Sequence, residues 1–282
     1  MALTQQLMPK PSRDTDALLV AVSRDNYMLS SGFGPSKLTG AGTAYVELIA
    51  RLTPSGDWQD IPCGIKQEGS PAGQRGCRKY AREYLNKPHA YSVVSADGTG
   101  AVVHAAPSTL SECFDYSGTG TYSGASIAGS AIASSSSDLF SGSEPVHQLN
   151  SEEAKPIRKT LAAYTPRKFD STLYLRYFSL KLEGQELIVV QRNYADISRA
   201  SIQAQWNHIF AIGKIENGRF HFLDWQKNTE DEDERIIGTI HLKSGREFLI
   251  VSDSDPESQS FRVYGIRDGK LILAYSGGGS AC

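Results

Sequence analysis

YFSLKLEGQELIVVQ (177–191) reads as two strands around a turn: the apolar-rich stretch YFSLKL, a glycine at 184, then the unbroken apolar run LIVV. A short apolar run of this kind next to a glycine turn reads as a β-strand. The stretch GTIHLKSGREFLIVSD (238–253) repeats the plan, with its turn at Gly245. Each hairpin is followed by a second one, HIFAIGKIENGRFHFLDW (208–225) and FRVYGIRDGKLILAYSG (261–277). Their Asn217-Gly218 and Asp268-Gly269 dipeptides mark two-residue type I′ turns, in which both central residues need positive φ. The second half therefore predicts two successive four-strand units.

Fainter hairpins occupy the first half: DALLVAVSRD (16–25), AYVELIARLTPSGDWQDIPC (44–63) turning at Ser55-Gly56, and HAYSVVSADGTGAVVHA (89–105) turning at Asp97-Gly98. A recurrence every 50–60 residues or so suggests a mainly β, propeller-like array of about four antiparallel units. An irregular β-sandwich, or two small β-rich domains divided near residue 145, fits the same strands. The domain expectation is a tail at 1–15 and a single β-rich domain over 16–282.

Two helical inserts interrupt the strands. GQRGCRKYAREYLN (73–86) sets Cys77, Tyr80, Ala81, Tyr84 and Leu85 on one helical face. NSEEAKPIRKTLAAY (150–164) opens with Asn150 or Ser151 as cap and runs from acid to base, the order a helix dipole favours. The Gly/Ser-rich stretch 116–144 is expected to be a partly ordered loop with a short Ala/Ser helix near 125–139.

At the repeated LKLEGQELIVV (180–190) and LKSGREFLIVS (242–252) the chain resembles the FG-GAP or integrin-α-type propeller repeat, over roughly 173–277. The resemblance implies propeller blades. The family's Asp-x-Asp-x-Asp-Gly loop is missing before Gly184 and Gly245, so calcium binding does not carry over. A second stretch, YSGTGTYSG (116–124), is similar to the Ser-Gly-x-x-Tyr segment that bacterial periplasmic lysozyme inhibitors insert into an enzyme cleft. Ser117, Gly118 and Tyr122 would be its counterparts and would bind a partner.

Composition narrows the function classes. With 29 basic and 31 acidic residues, no field of one sign points to nucleic acid or to an anionic membrane surface. No apolar run approaches the roughly 20 residues of a membrane span, and the first residues lack the apolar core of a signal peptide. The four cysteines, Cys63, Cys77, Cys113 and Cys282, show no metal-ligand spacing and read either as two disulfides or as four buried thiols. Stapling the polar loop between Cys63 and Cys77 would leave Cys113 for Cys282, a clasp on the last strand. Disulfides imply a periplasmic or secreted protein whose export signal is gone; free thiols imply a cytoplasmic one.

Catalytic and cofactor motifs are missing. GASIAG (124–129) has Ala128 where a nucleophile elbow needs glycine, and no P-loop, dinucleotide fingerprint or HExxH occurs. His208 and His221 flank one turn, but the two-residue loop sets them opposite Lys227 and Lys214 rather than each other. The acidic runs SDSDPES (252–258) and NTEDEDERIIG (228–238) lack an internal glycine for a calcium turn and read as solvated loops. The insert NYADISRASIQAQWNH (193–208) carries Tyr194, Arg199 and Trp206, residue types that dominate interface hot spots. The sequence thus predicts a non-catalytic exported protein that binds another protein, of inhibitor or immunity type, with no cofactor or metal. The competing expectation is a secreted hydrolase with a Ser or His from 104–147 at its centre.

Overall fold

In the computed structural model, residues 16–23, 41–61, 71–80, 89–95, 101–105, 117–124, 130–163, 175–192, 209–227, 233–254 and 258–281 are described. The strands are β1 (Ala17–Ser23), β2 (Ala41–Leu52), β3 (Trp58–Gln59), β4 (His89–Val93), β5 (Val102–Ala105), β6 (Ser117–Ser123), β7 (Ser130–Ser134), β8 (Phe140–Gly142) and β9 (His147–Gln148). The second half adds β10 (Leu175–Leu182), β11 (Gln185–Arg192), β12 (Ile209–Glu216), β13 (Arg219–Lys227), β14 (Asp233–Leu242), β15 (Glu247–Ser254), β16 (Ser258–Arg267) and β17 (Lys270–Ala281). Two short helices are α1 (Pro71–Tyr80) and α2 (Lys155–Leu161). The chain is mainly β, as the alternation predicts, and every strand pairing described is antiparallel.

The two expected four-strand units form. β10 to β13 make a meander joined at its edge by β9, and β14 to β17 make a second joined by β8. The hairpins turn where positive φ was required: Asn217 and Gly218 have φ of 51° and 72°, and Asp268 and Gly269 have 52° and 71°. His221 stands opposite Lys214, as the loop length dictates.

The first half departs from the expected blades. Its strands run β1-β7-β4-β5-β6-β2, and β1 also pairs with β2, closing a six-stranded barrel-like sheet with β3 appended to β2. The stretch read as a Gly/Ser loop with a helix supplies β6 and β7 instead. Small side chains explain why: Ala131 and Ala133 fill the narrow interior while Ile132 packs outside. The array of four like units is therefore corrected to two meanders and one barrel.

The layers stack in a fixed order. The barrel interior is packed by Val20, Val46, Leu48, Tyr91, Val103 and Tyr122, with Tyr80 of α1 against it. Its outer wall, including Leu19, Ile49, Leu52 and Ile132, packs on Ile240, Phe248, Ile250, Phe261 and Val263 of the second meander. The opposite face of that meander, with Leu249, Val251 and Tyr264, packs on Leu187, Val189, Phe210 and Ile212 of the first. The second meander is thus the inner sheet, covered on both sides, and the first is the outer sheet, whose far face carries α2 through Ile157 and Leu161. Burial on both faces is what the unbroken FLIV of β15 reports.

Both expected helices are present among the described residues. The rest of the first, 81–86, lies outside them, and the regular turns of α2 begin at Lys155 rather than at the expected Asn150 or Ser151. Asn150 still acts as a cap: its Oδ1 accepts from the backbone N–H of Glu152 (2.9 Å) and Glu153 (3.1 Å), and Glu153 accepts from the N–H of Asn150 (2.7 Å). This reciprocal pair orders the turn that leads into the helix.

The seam between barrel and inner sheet is aromatic and hydrogen-bonded. Trp58 stacks on Tyr275 with ring centroids 5.9 Å apart and meets Phe248 edge-on at 5.2 Å. Arg246 lies over the Phe248 ring and donates to the carbonyl of Gly56 at 2.7 Å, fastening the β2–β3 turn. The Tyr275 hydroxyl donates to the carbonyl of Ile49 at 3.3 Å. Next to it the glycines of β17 let the last strand lie directly on β2: a Cβ at Gly278 would sit 2.0 Å from the Ile49 carbonyl oxygen.

Candidate functional site

Antiparallel pairing gathers the open ends of both meanders. Ile209 pairs with Lys227, so the connections 193–208 and 228–232 leave the outer sheet at one end. Asp233 pairs with Ser254, and Ser254 with Gln259, so the connection 255–257 leaves the inner sheet at the corresponding end. The N–H of Ile236 donates to Oε1 of Gln191 at 3.0 Å, tying the two sheets together there. At the far end, tight hairpin turns meet instead, with the Gln185 amide donating to the carbonyl of Gly269.

Beneath the loop-bearing end lies a charged floor. Arg262, only 5% exposed, donates through Nη2 to Oε1 of Glu234 (2.9 Å) and Oδ2 of Asp253 (2.8 Å). Its guanidinium lies 5.8 Å from the ring centre of Phe210 across the sheet interface. Burial works against the charge of Arg262, but Tyr264, Asp253 and Glu234 together hold its pKa above the ordinary value. Burial also pushes the Tyr264 hydroxyl well above the usual phenol range, opposed by Arg262 and reinforced by Asp224.

A guanidinium fixed by two carboxylates is a rigid support, because removing one partner would strand a buried charge. Asp253 is the member that opens outward, with 28% of its side chain exposed. In sequence, the stretches 228–232 and 255–257, which join the strands bordering this floor, carry Glu230, Asp231 and Glu232, then Asp255 and Glu257.

The proposed binding residues fall in two groups. Tyr194, Arg199 and Trp206 belong to 193–208 and lie outside the described residues, although the strand ends that carry their insert border the charged floor. Ser117, Gly118 and Tyr122 are in β6, paired with β2 at Glu47, Val46 and Gly42. The 116–124 loop is corrected to a strand from Ser117 to Ser123, and Tyr122 is 1% exposed inside the barrel. A ring held in a core offers no surface to an enzyme cleft.

Cys63, Cys113 and Cys282, and the side chain of Cys77, lie outside the described residues, so both expected disulfides do too. Among the described residues no three His, Cys, Asp or Glu side chains come together to hold a metal ion. Among them also, no helix is long and apolar enough to cross a membrane.

Sequence reasoning missed Arg262 and Glu234. In SFRVYG, alternation assigns Phe261 and Val263 to a core and Arg262 to water, whereas both faces of this sheet are covered. Asp253 stood in an acidic run, which gave no sign of its partner. No protein-family model matches the chain, and no curated protein or solved structure shows significant similarity to it.

Proposed function

We propose that this chain is a non-catalytic exported binding protein that engages a protein partner, of inhibitor or immunity type, through the loop-bearing end of its two meanders. The observation that supports this is that the strand ends joined by 193–208, 228–232 and 255–257 border one rigid floor, built from Arg262, Glu234 and Asp253. The insert among them contributes Tyr194, Arg199 and Trp206, and the other two contribute carboxylates. Aromatic and arginine anchors on a rigid base, with a charged rim, are the composition of an interface hot spot and its steering field. The partner patch complementary to this end is basic.

Export rests on the even number of cysteines. Within this reading the meanders serve as propeller-type blades that lend a stiff end to their loops, in keeping with the FG-GAP-like repeat of their sequence.

Affinity capture tests the binding reading. The immobilised chain and a triple variant, Tyr194→Ala, Arg199→Ala and Trp206→Ala, are exposed in parallel to a bacterial envelope extract. A basic protein held by the unaltered chain, released by about 0.5 M salt as screening predicts, and lost with the variant is the expected result. Identical captured sets would remove the insert from the function. Peptide mapping without reductant tests export: four freely alkylated thiols in the folded protein would place it in a reducing compartment.

A further inference from the structure

We infer that β13 is an edge through which two copies of this chain pair, independently of the partner-binding reading. Among the described residues β13 is the outermost strand of its sheet. It bears exposed apolar groups that a solvated edge has no use for: Leu223 is 40% and Trp225 38% exposed, with Ile215 of the adjacent strand at 41%. Phe220, Phe222 and Trp225 form one aromatic row, with centroids 5.1 Å and 5.0 Å apart along it. Natural edges usually carry charge or proline instead, since an open edge templates another strand.

The occupant follows from the register. Gly213 pairs with Phe222 and Ile212 with Asp224, so Leu223 is the extra residue of a β-bulge. Phe220, Phe222 and Trp225 therefore share one face, opposite Ile215, Gly213 and Ala211, while Arg219, His221 and Asp224 share the other. A regular partner strand loses phase at this bulge. A second copy running antiparallel about a twofold axis between residues 222 and 223 keeps it, because both strands change phase at the same place. In that register Phe220 faces the other copy's Trp225 on one side of the sheet. On the other side His221 faces Asp224, an N–H donor opposite a carboxylate. No like charges oppose each other, and the pairing is closed and isologous.

Sedimentation velocity of the full chain from micromolar to millimolar concentration, with amide hydrogen exchange at both ends of the range, tests this. A reversible shift from one chain to two is expected, with slowed exchange within 219–227 in the associated state. Leu223→Lys should raise the dissociation constant at least about tenfold, a change of roughly 1.4 kcal/mol. His221→Asp should weaken pairing by setting carboxylates opposite each other, and the exchange His221→Asp with Asp224→His should restore it. A single-chain mass at millimolar concentration overturns the inference. So does a dimer whose 219–227 amides exchange no more slowly, a readout on the unaltered chain that does not depend on any variant folding.

Discussion

Gly278 shows how little space separates the last strand from the barrel. Its φ is +71°, and an added Cβ would meet the backbone of Ile49, which has no flexible end to swing aside. Gly184 has nearly the same φ, +76°, but open space around it. Gly184→Ala should therefore cost only the left-handed penalty, about 1–2 kcal/mol. Gly278→Ala should cost clearly more, because β17 must also leave β2. Urea unfolding of both variants measures the difference; equal losses would mean that the contact contributes nothing. Tyrosines give the molecule a second dependence at this scale. Tyr91, Tyr264 and Tyr275 all have hydroxyls raised above the ordinary phenol value, in each case chiefly by burial, with Asp60 adding to the effect at Tyr275. A raised folded value means that the unfolded chain gives up these protons first. The stability they contribute is complete below about pH 10, where unfolded tyrosine titrates, and falls above it by up to roughly 1.4 kcal/mol per pH unit per group. The urea midpoint should hold between pH 8 and 9.5 and drop steeply by pH 11, less so in Tyr264→Phe and Tyr275→Phe. An unchanged slope in both variants would refute the assignment.

At the scale of elements, the meanders were legible because their information is local. A two-residue turn with Asn-Gly or Asp-Gly fixes the register of its own hairpin, and a continuous LIVV or FLIV run beside a glycine turn reads as a strand without reference to any remote partner. The barrel was not legible because its decisive pairings are remote. β1 is held by β7, with Ala21 opposite Ile132 and Val22 opposite Ala131, and nothing in SAIAS marks it as a strand until that partner is known. Alanine, serine and glycine have low strand propensity and suit linkers in isolation; in β6 and β7 they are selected by the narrowness of the interior instead. The candidate site was legible in the same proportion. The insert bearing Tyr194, Arg199 and Trp206 was visible as an interruption of the repeat, whereas the Arg262 floor needed two sheets to be stacked before a strand position meant for water became a buried one.

For the whole molecule, the layered order fixes which surface depends on which. The inner sheet is the shared wall: one face completes the barrel's outer core, and the other completes the outer sheet's. Growth of the chain from its N-terminus meets these layers in an unfavourable sequence. The barrel strands end at Ser134, while the residues that cover its outer wall run from Ile237 to Tyr275. At ordinary elongation rates of about 5–20 residues per second, that wall stays bare for on the order of 10 s on the ribosome. A fragment ending at residue 145 should bind a hydrophobic dye and aggregate at concentrations where the full chain stays dispersed; a dispersed, dye-silent fragment would contradict this. The stacking that stiffens the finished protein is thus also what makes its first half dependent on residues 237–275 being made.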